Sequence, residues 1–153
     1  MLDFFSGYLE ILEYNYEQMA QAIAGLSQEA LDWVPGKDMN SLCVLVVHTT
    51  GSERYWVGDV AMGEPSGRNR AMEFEASGLS EAMLRQRLDD TLAYTRDALE
   101  RLTLADLDRL YTMPSDGRQV TVGWAVLHAL EHTALHVGHA QITRQLWDQR
   151  QTS

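Results

Sequence analysis

A leucine seam constrains this chain more than any other feature. Leu84, Leu88, Leu92, Thr95, Leu99 and Leu102 follow one another at steps of 4-4-3-4-3. Steps of three and four return side chains to one face of an α-helix, and such a face must be buried against another element. Ser80 stands at the start of the run as a natural N-cap. Two more segments repeat the pattern. Phe4, Phe5, Tyr8, Leu12, Tyr16, Met19 and Ile23 predict a helix over residues 3–24, which Gly25 ends. Leu42, Leu45, Thr49, Ser52, Trp56 and Val60 predict a second helix, capped near Asn40 or Ser41 and reaching about Met62. The last helix is expected from a cap near Thr121 to about Trp147, with Trp124, Leu127, Leu135, Ile142 and Leu146 as its apolar stripe.

Between these helices lie Leu31-Asp-Trp-Val-Pro35-Gly36, the stretch from Gly63 to Gly78, and residues 103–119 with Pro114 and Gly117. They read as irregular links, the last with one short turn at 104–110. Links of roughly 15 to 20 residues exceed what a minimal up-down bundle needs and leave room for a less regular connection order. The expected fold is all-α, a four-helix bundle with long connecting loops, and residues 1–150 are expected to form a single domain. No strand pattern competes.

Charge excludes some functions. With 22 acidic and 12 basic residues the net charge is -10, which repels nucleic-acid phosphates and anionic lipid. The arginines are scattered apart from Arg68 and Arg70. No window is apolar enough to span a membrane, and the first residues carry acid where a signal peptide carries base. Cys43 is the only cysteine and sits in an apolar run, so no internal disulfide forms. A cytoplasmic protein acting on a small molecule, with no nucleic acid and no membrane, is the expectation.

Chemistry is concentrated in the histidines. Of five, four fall within twelve residues: His128, His132, His136 and His139. On a helix they occupy an arc of roughly 80°, and an i, i+4 pair stands ~6 Å apart, close enough for two imidazoles to share an ion. They span ~16 Å of axis, too far for all to touch one metal. A third nitrogen would have to come from a facing helix, where His48 is the remaining histidine. A solvated histidine face and a bis-histidine haem site stay open on this evidence. His132-Thr-Ala-Leu-His136 lacks the adjacent glutamate of the zinc peptidases. Helices 2 and 4 carry no inward Glu-x-x-His pair for a di-iron centre.

Leu45-Val-Val-His48-Thr-Thr-Gly-Ser-Glu53-Arg54-Tyr-Trp56 resembles the second-helix motif of the DinB/YfiT-like metalloenzymes. Gly123-Trp124-Ala-Val-Leu-His128-Ala-Leu-Glu131-His132-Thr-Ala-Leu-His136-Val-Gly138-His139-Ala-Gln141-Ile is similar to their last-helix motif, and Leu31-Asp-Trp33-Val-Pro35 to the link before the second helix. The resemblance covers nearly the whole chain. It implies a four-helix bundle, often a homodimer, holding a divalent ion such as nickel or zinc on His48, His132 and His136. His128 and His139 match accompanying histidines that are not the usual ligands. It also implies a thiol-dependent S-transferase or a hydrolase acting on a small electrophile, with a low-molecular-weight thiol as possible cosubstrate. The competing class is a non-enzymatic dimeric scaffold or ligand-binding protein with a structural metal. Glu53, Glu131 and Gln141 are candidate partners of the ligand imidazoles, with an ion pair to Arg54 or another helix as the competing role of Glu53. Tyr55, Trp56 and Trp124 either wall the pocket or pack as plain core, the commoner role of aromatics at helical spacing.

Overall fold

The computed structural model describes residues 1–151. Four long helices form the expected bundle: α1 (Asp3–Ile23), α3 (Leu42–Arg54, continued by a π-helical stretch, Tyr55–Met62), α5 (Glu81–Arg101) and α6 (Val122–Gln151). Short helices α2 (Gln28–Asp32) and α4 (Arg70–Glu73) punctuate the first two links. The caps are those the sequence offered. Ser41 Oγ accepts from the Val44 amide at 3.1 Å, Ser80 Oγ from Met83 at 3.3 Å, and Thr121 Oγ1 from Trp124 at 3.1 Å. The leucine seam of α5 lies inward as expected, with Leu84, Leu88, Leu99 and Leu102 buried.

Helix directions follow from which residues meet. Gln18 pairs with Gln141, and the Ala22 carbonyl with Arg144, so α1 and α6 run parallel. Glu53 meets Thr95 on α5 while Arg54 lies over Tyr94, and Cys43 at the other end of α3 faces Arg87. Hence α3 and α5 also run parallel. α5 opposes α1, through Glu13 with Arg96 and Ala20 with Arg85, and α6 opposes α3. The bundle is thus up-down-down-up, and the segment from Gly63 to Ser80 must climb the full length of α3 before α5 can begin. That crossover is why the link is long.

α3 is the central element. Leu42 through Thr50 are all buried, together with Ser52 and Glu53, as expected of a helix covered on every side. Its extension into a π-helix was not legible. There Gly58 admits the Arg54 guanidinium, which would lie 1.6 Å from a Cβ at that position, and Gly63, at φ 69°, ends the element in the left-handed region.

Two expectations are corrected. Trp124, Leu127, Leu135, Ile142 and Leu146 do not face the core: Leu127, Leu135 and Ile142 are more than half exposed. The inward seam of α6 is instead Val122, Val126, Ala129, Thr133, Val137, Ala140, Thr143 and Trp147. Small residues there let α6 approach α1 and α3 closely, and the bulky side chains are left outside. Residues 103–119 are also more ordered than expected. After a 3₁₀ turn (Leu104–Asp108), β1 (Leu110–Thr112) and β2 (Gln119–Thr121) form a two-stranded antiparallel hairpin, Tyr111 opposite Val120.

Candidate metal centre

Antiparallel packing of α3 on α6 brings one histidine of the first against two of the second. His48 Nε2 lies 3.2 Å from His132 Nε2, which lies 3.2 Å from His136 Nε2. Among the described residues, these three are the His, Cys, Asp and Glu side chains placed to hold one ion, with ligand atoms within 4.8 Å of one another. Three nitrogens at ~2.0–2.1 Å from a tetrahedral zinc ion would stand about 3.3 Å apart, close to the 3.2 Å observed twice. His128 and His139 are not part of the group.

Three imidazole nitrogens facing one another at the edge of a core carry an electrostatic cost if protonated. Burial, then repulsion from His136, His48, His128 and Arg68, pushes His132 down to about 3. Burial and the neighbouring His48 and His139 push His136 down to about 4. Both are therefore neutral at physiological pH and present lone pairs, the form a metal requires. His132 Nδ1 is buried without a partner.

The residue that orients His48 comes from the crossover. Glu73, in the short helix α4, accepts from His48 Nδ1 at 2.8 Å, which leaves Nε2 with its lone pair toward the other histidines. Arg68 grips the same carboxylate with two hydrogen bonds, at 2.6 and 2.9 Å. Burial pushes this carboxyl up, but the bonds from Arg68 and His48 outweigh it and hold Glu73 below the ordinary value. Gly51 makes the approach possible: a Cβ there would stand 2.3 Å from Glu73 Oε1. Phe74 packs its ring against His48, centroids 4.7 Å apart.

None of the three partners expected from the sequence contacts a ligand nitrogen. Glu131 reaches His128 Nδ1 at 3.2 Å, and Gln141 pairs with Gln18. Glu53 is wholly buried in a separate network, accepting from Tyr8 at 2.8 Å, Thr133 at 3.3 Å and Thr95 at 3.5 Å. Burial pushes it up to about 7 against the pull of those hydroxyls. Glu73 carries no periodic signal, because it lies in an aperiodic link, 25 residues from the histidine it orients, where the neighbouring pair Arg68 and Arg70 is the one distinctive feature. His139 sits 3.2 Å from His136, Nδ1 to Nδ1.

A cavity of about 350 Å³ opens over His48 and His132. Tyr55 and Trp56 of the π-helix, Met113 of the hairpin, Ser52 and His128 line it, with Arg68 and Arg70 from the crossover. Of the two roles open to these aromatics, Tyr55 and Trp56 take that of pocket wall. Trp124 stacks on His128 at 4.7 Å, behind the wall.

The sequence profile of the mycothiol-S-transferase family matches residues 8–149. The chain belongs to that family, a DinB-like one, which agrees with the resemblance carried by the two histidine motifs. Among solved structures, a conserved protein from Enterococcus faecalis superposes with a TM-score of 0.80 at 15% identity, over 95% of this chain and 98% of that one. YfiT from Bacillus subtilis, described as a probable metal-dependent hydrolase with an unusual four-helix bundle topology, gives 0.59 at 14% identity, over 95% and 89%. These likenesses establish the fold. A search of proteins with curated function finds no match.

Proposed function

We propose that this chain, acting as one domain over residues 1–150, is a metal-dependent S-transferase that joins a low-molecular-weight thiol to a small electrophile. His48, His132 and His136 would hold one divalent ion, zinc or nickel, both of which accept imidazole nitrogen. The observation that carries the reading is the convergence of three imidazole nitrogens, within 4.8 Å of one another, beside an open cavity. A bound divalent ion would lower the pKa of a thiol or water beside it, making the nucleophile available near neutrality. The chain's own groups do the rest. Glu73 orients His48, the 3.2 Å spacings suit three ligands with a position left over, and Tyr55, Trp56 and Met113 give the cavity an apolar wall. Family membership makes mycothiol the first thiol to test.

Metal analysis of purified protein tests the ligand set, with about one ion per chain expected for wild type and none retained by His48→Ala or His136→Ala. Thiol consumption with generic electrophiles tests the chemistry. A rate equal to that of the metal-stripped protein would favour the competing reading, a helical scaffold with a structural metal. The description of YfiT as a probable metal-dependent hydrolase supports water as the alternative nucleophile. We further propose a homodimer through the outer face of α6, where Leu127, Leu135 and Ile142 are exposed. A cytoplasmic location suits a thiol-consuming enzyme, and no described helix is long and apolar enough to cross a membrane.

A further inference from the structure

The cavity above the histidines differs in charge from the rest of the molecule. The chain carries 22 acidic residues against 12 basic ones, yet among the described residues no aspartate or glutamate lines this cavity, while Arg68 and Arg70 both do. The two arginines are not equivalent. Arg68 spends its guanidinium on both oxygens of Glu73. Arg70 makes no ion pair among the described residues; its guanidinium lies over the Phe74 ring, 5.0 Å from the centroid, and that ring packs on His48. A stacked guanidinium keeps its in-plane N–H groups available, so Arg70 is a positioned donor without an acceptor at the rim of the metal pocket.

We propose that Arg70 is the anchor for a carboxylate on the electrophilic substrate, which is therefore a small acid with an apolar, preferably aromatic, body. This deepens the transferase reading and rests on it for the word substrate, though not for the binding site itself. The planar N–H fork of Arg70 matches a carboxylate in geometry. Tyr55, Trp56 and Met113 supply the apolar wall for the remainder. A cavity of about 350 Å³ admits a body of the size of a substituted benzoate.

The test compares ligands that differ in charge. Zinc-loaded and metal-free protein are each titrated with benzoate and with benzamide by isothermal calorimetry, and tryptophan fluorescence is compared with that of Trp56→Phe to isolate the cavity-wall residue. Metal-free protein is included because a carboxylate also binds zinc directly. Benzoate is expected to bind the more tightly in both forms, and Arg70→Gln to weaken benzoate by about tenfold or more, as for the loss of a charge-assisted hydrogen bond, with Arg70→Lys retaining part of the preference. In turnover, 4-(bromomethyl)benzoate and its amide are compared with one thiol. Wild type is expected to show a lower KM for the acid, and Arg70→Gln to bring the ratio of the two KM values to about one. The proposal is overturned if Arg70→Gln leaves the preference for benzoate over benzamide intact in metal-free protein, or if wild type shows no preference. An absence of turnover would count against the transferase and leave the binding titrations to decide the anchor.

Discussion

The three converging histidines and the groups that surround them come from two kinds of structure. His48, His132 and His136 stand on α3 and α6, the first buried on every side and the second along one seam of small residues. Glu73, Arg68, Arg70 and Phe74 come from the crossover between α3 and α5, 18 residues from Gly63 to Ser80, whose Ala76 and Leu79 pack on the core and whose first half is held by polar contacts. Asp59 Oδ1 accepts from the Ser66 amide, Arg54 donates to the Glu64 carbonyl, and Glu64 receives both Tyr94 and Arg101. Hydrogen bonds from Arg101 and Tyr94 hold the Glu64 carboxyl down to about 2. The lesson is a division of labour: the bundle fixes where the three histidines meet, and the crossover orients and covers them. A parallel α3–α5 pair requires a long return path, and that path runs over the histidines.

Removing a helix-borne ligand should do the most damage. His132→Ala is expected to abolish stoichiometric metal binding, read by elemental analysis after desalting, because it deletes the nitrogen that lies 3.2 Å from each of the other two. The crossover's contribution should be smaller: Glu73→Gln is expected to weaken metal affinity about 10- to 100-fold, the range typical of partners that orient ligand imidazoles, measured by competition with a chromogenic chelator. An equal loss from both variants would break the division. Gly51→Ala sharpens it, since the added methyl meets Glu73 and not the histidines. Affinity should fall in the same direction as for Glu73→Gln, by less if the α4 segment shifts to accommodate it.

The least effect on the metal is expected at Glu53, which lies in the bundle but touches no ligand. Its folded pKa of about 7 stands above the ordinary 4.5. The native state therefore keeps this proton between those values while the unfolded chain releases it, so Glu53 makes stability fall as pH rises through that window and level off above about 7. Burial of His132 and His136 works the opposite way, adding stability as pH rises to the ordinary histidine value. Both proteins share that contribution, so comparing wild type with Glu53→Gln in metal-free urea titrations isolates the glutamate. The variant should lose less stability, or gain more, between about pH 5 and pH 8, with metal affinity little changed. Identical pH slopes would show that Glu53 is not the group that titrates.

Legibility in the sequence followed the same division. The seam of α5, the caps at Ser41, Ser80 and Thr121, and the shared face of the histidines depend on local periodicity, and each stands where the spacing put it. On α6 periodicity misled, because two stripes coexist there. Leu127, Leu135 and Ile142 are the bulkier set and dominate the apolar pattern, while Ala129, Thr133 and Ala140 make the inner seam because close helix packing favours small side chains. Glu73 was out of reach for another reason. Its contact with His48 depends on the path of an aperiodic link and on the missing Cβ at Gly51, and neither has a period to read. The π-helical stretch at Tyr55–Met62 accompanies Arg54 packing on Gly58 and Tyr94, a tertiary arrangement that the apolar stripe of Trp56 and Val60 does not announce.

Anomalous diffraction at the zinc or nickel edge, from crystals of metal-loaded protein, addresses the centre itself. One strong peak should appear within ~2.0–2.2 Å of a nitrogen from each of His48, His132 and His136. A peak bound instead by His128 or His139, or a fully loaded protein with no peak among the three, would contradict the account.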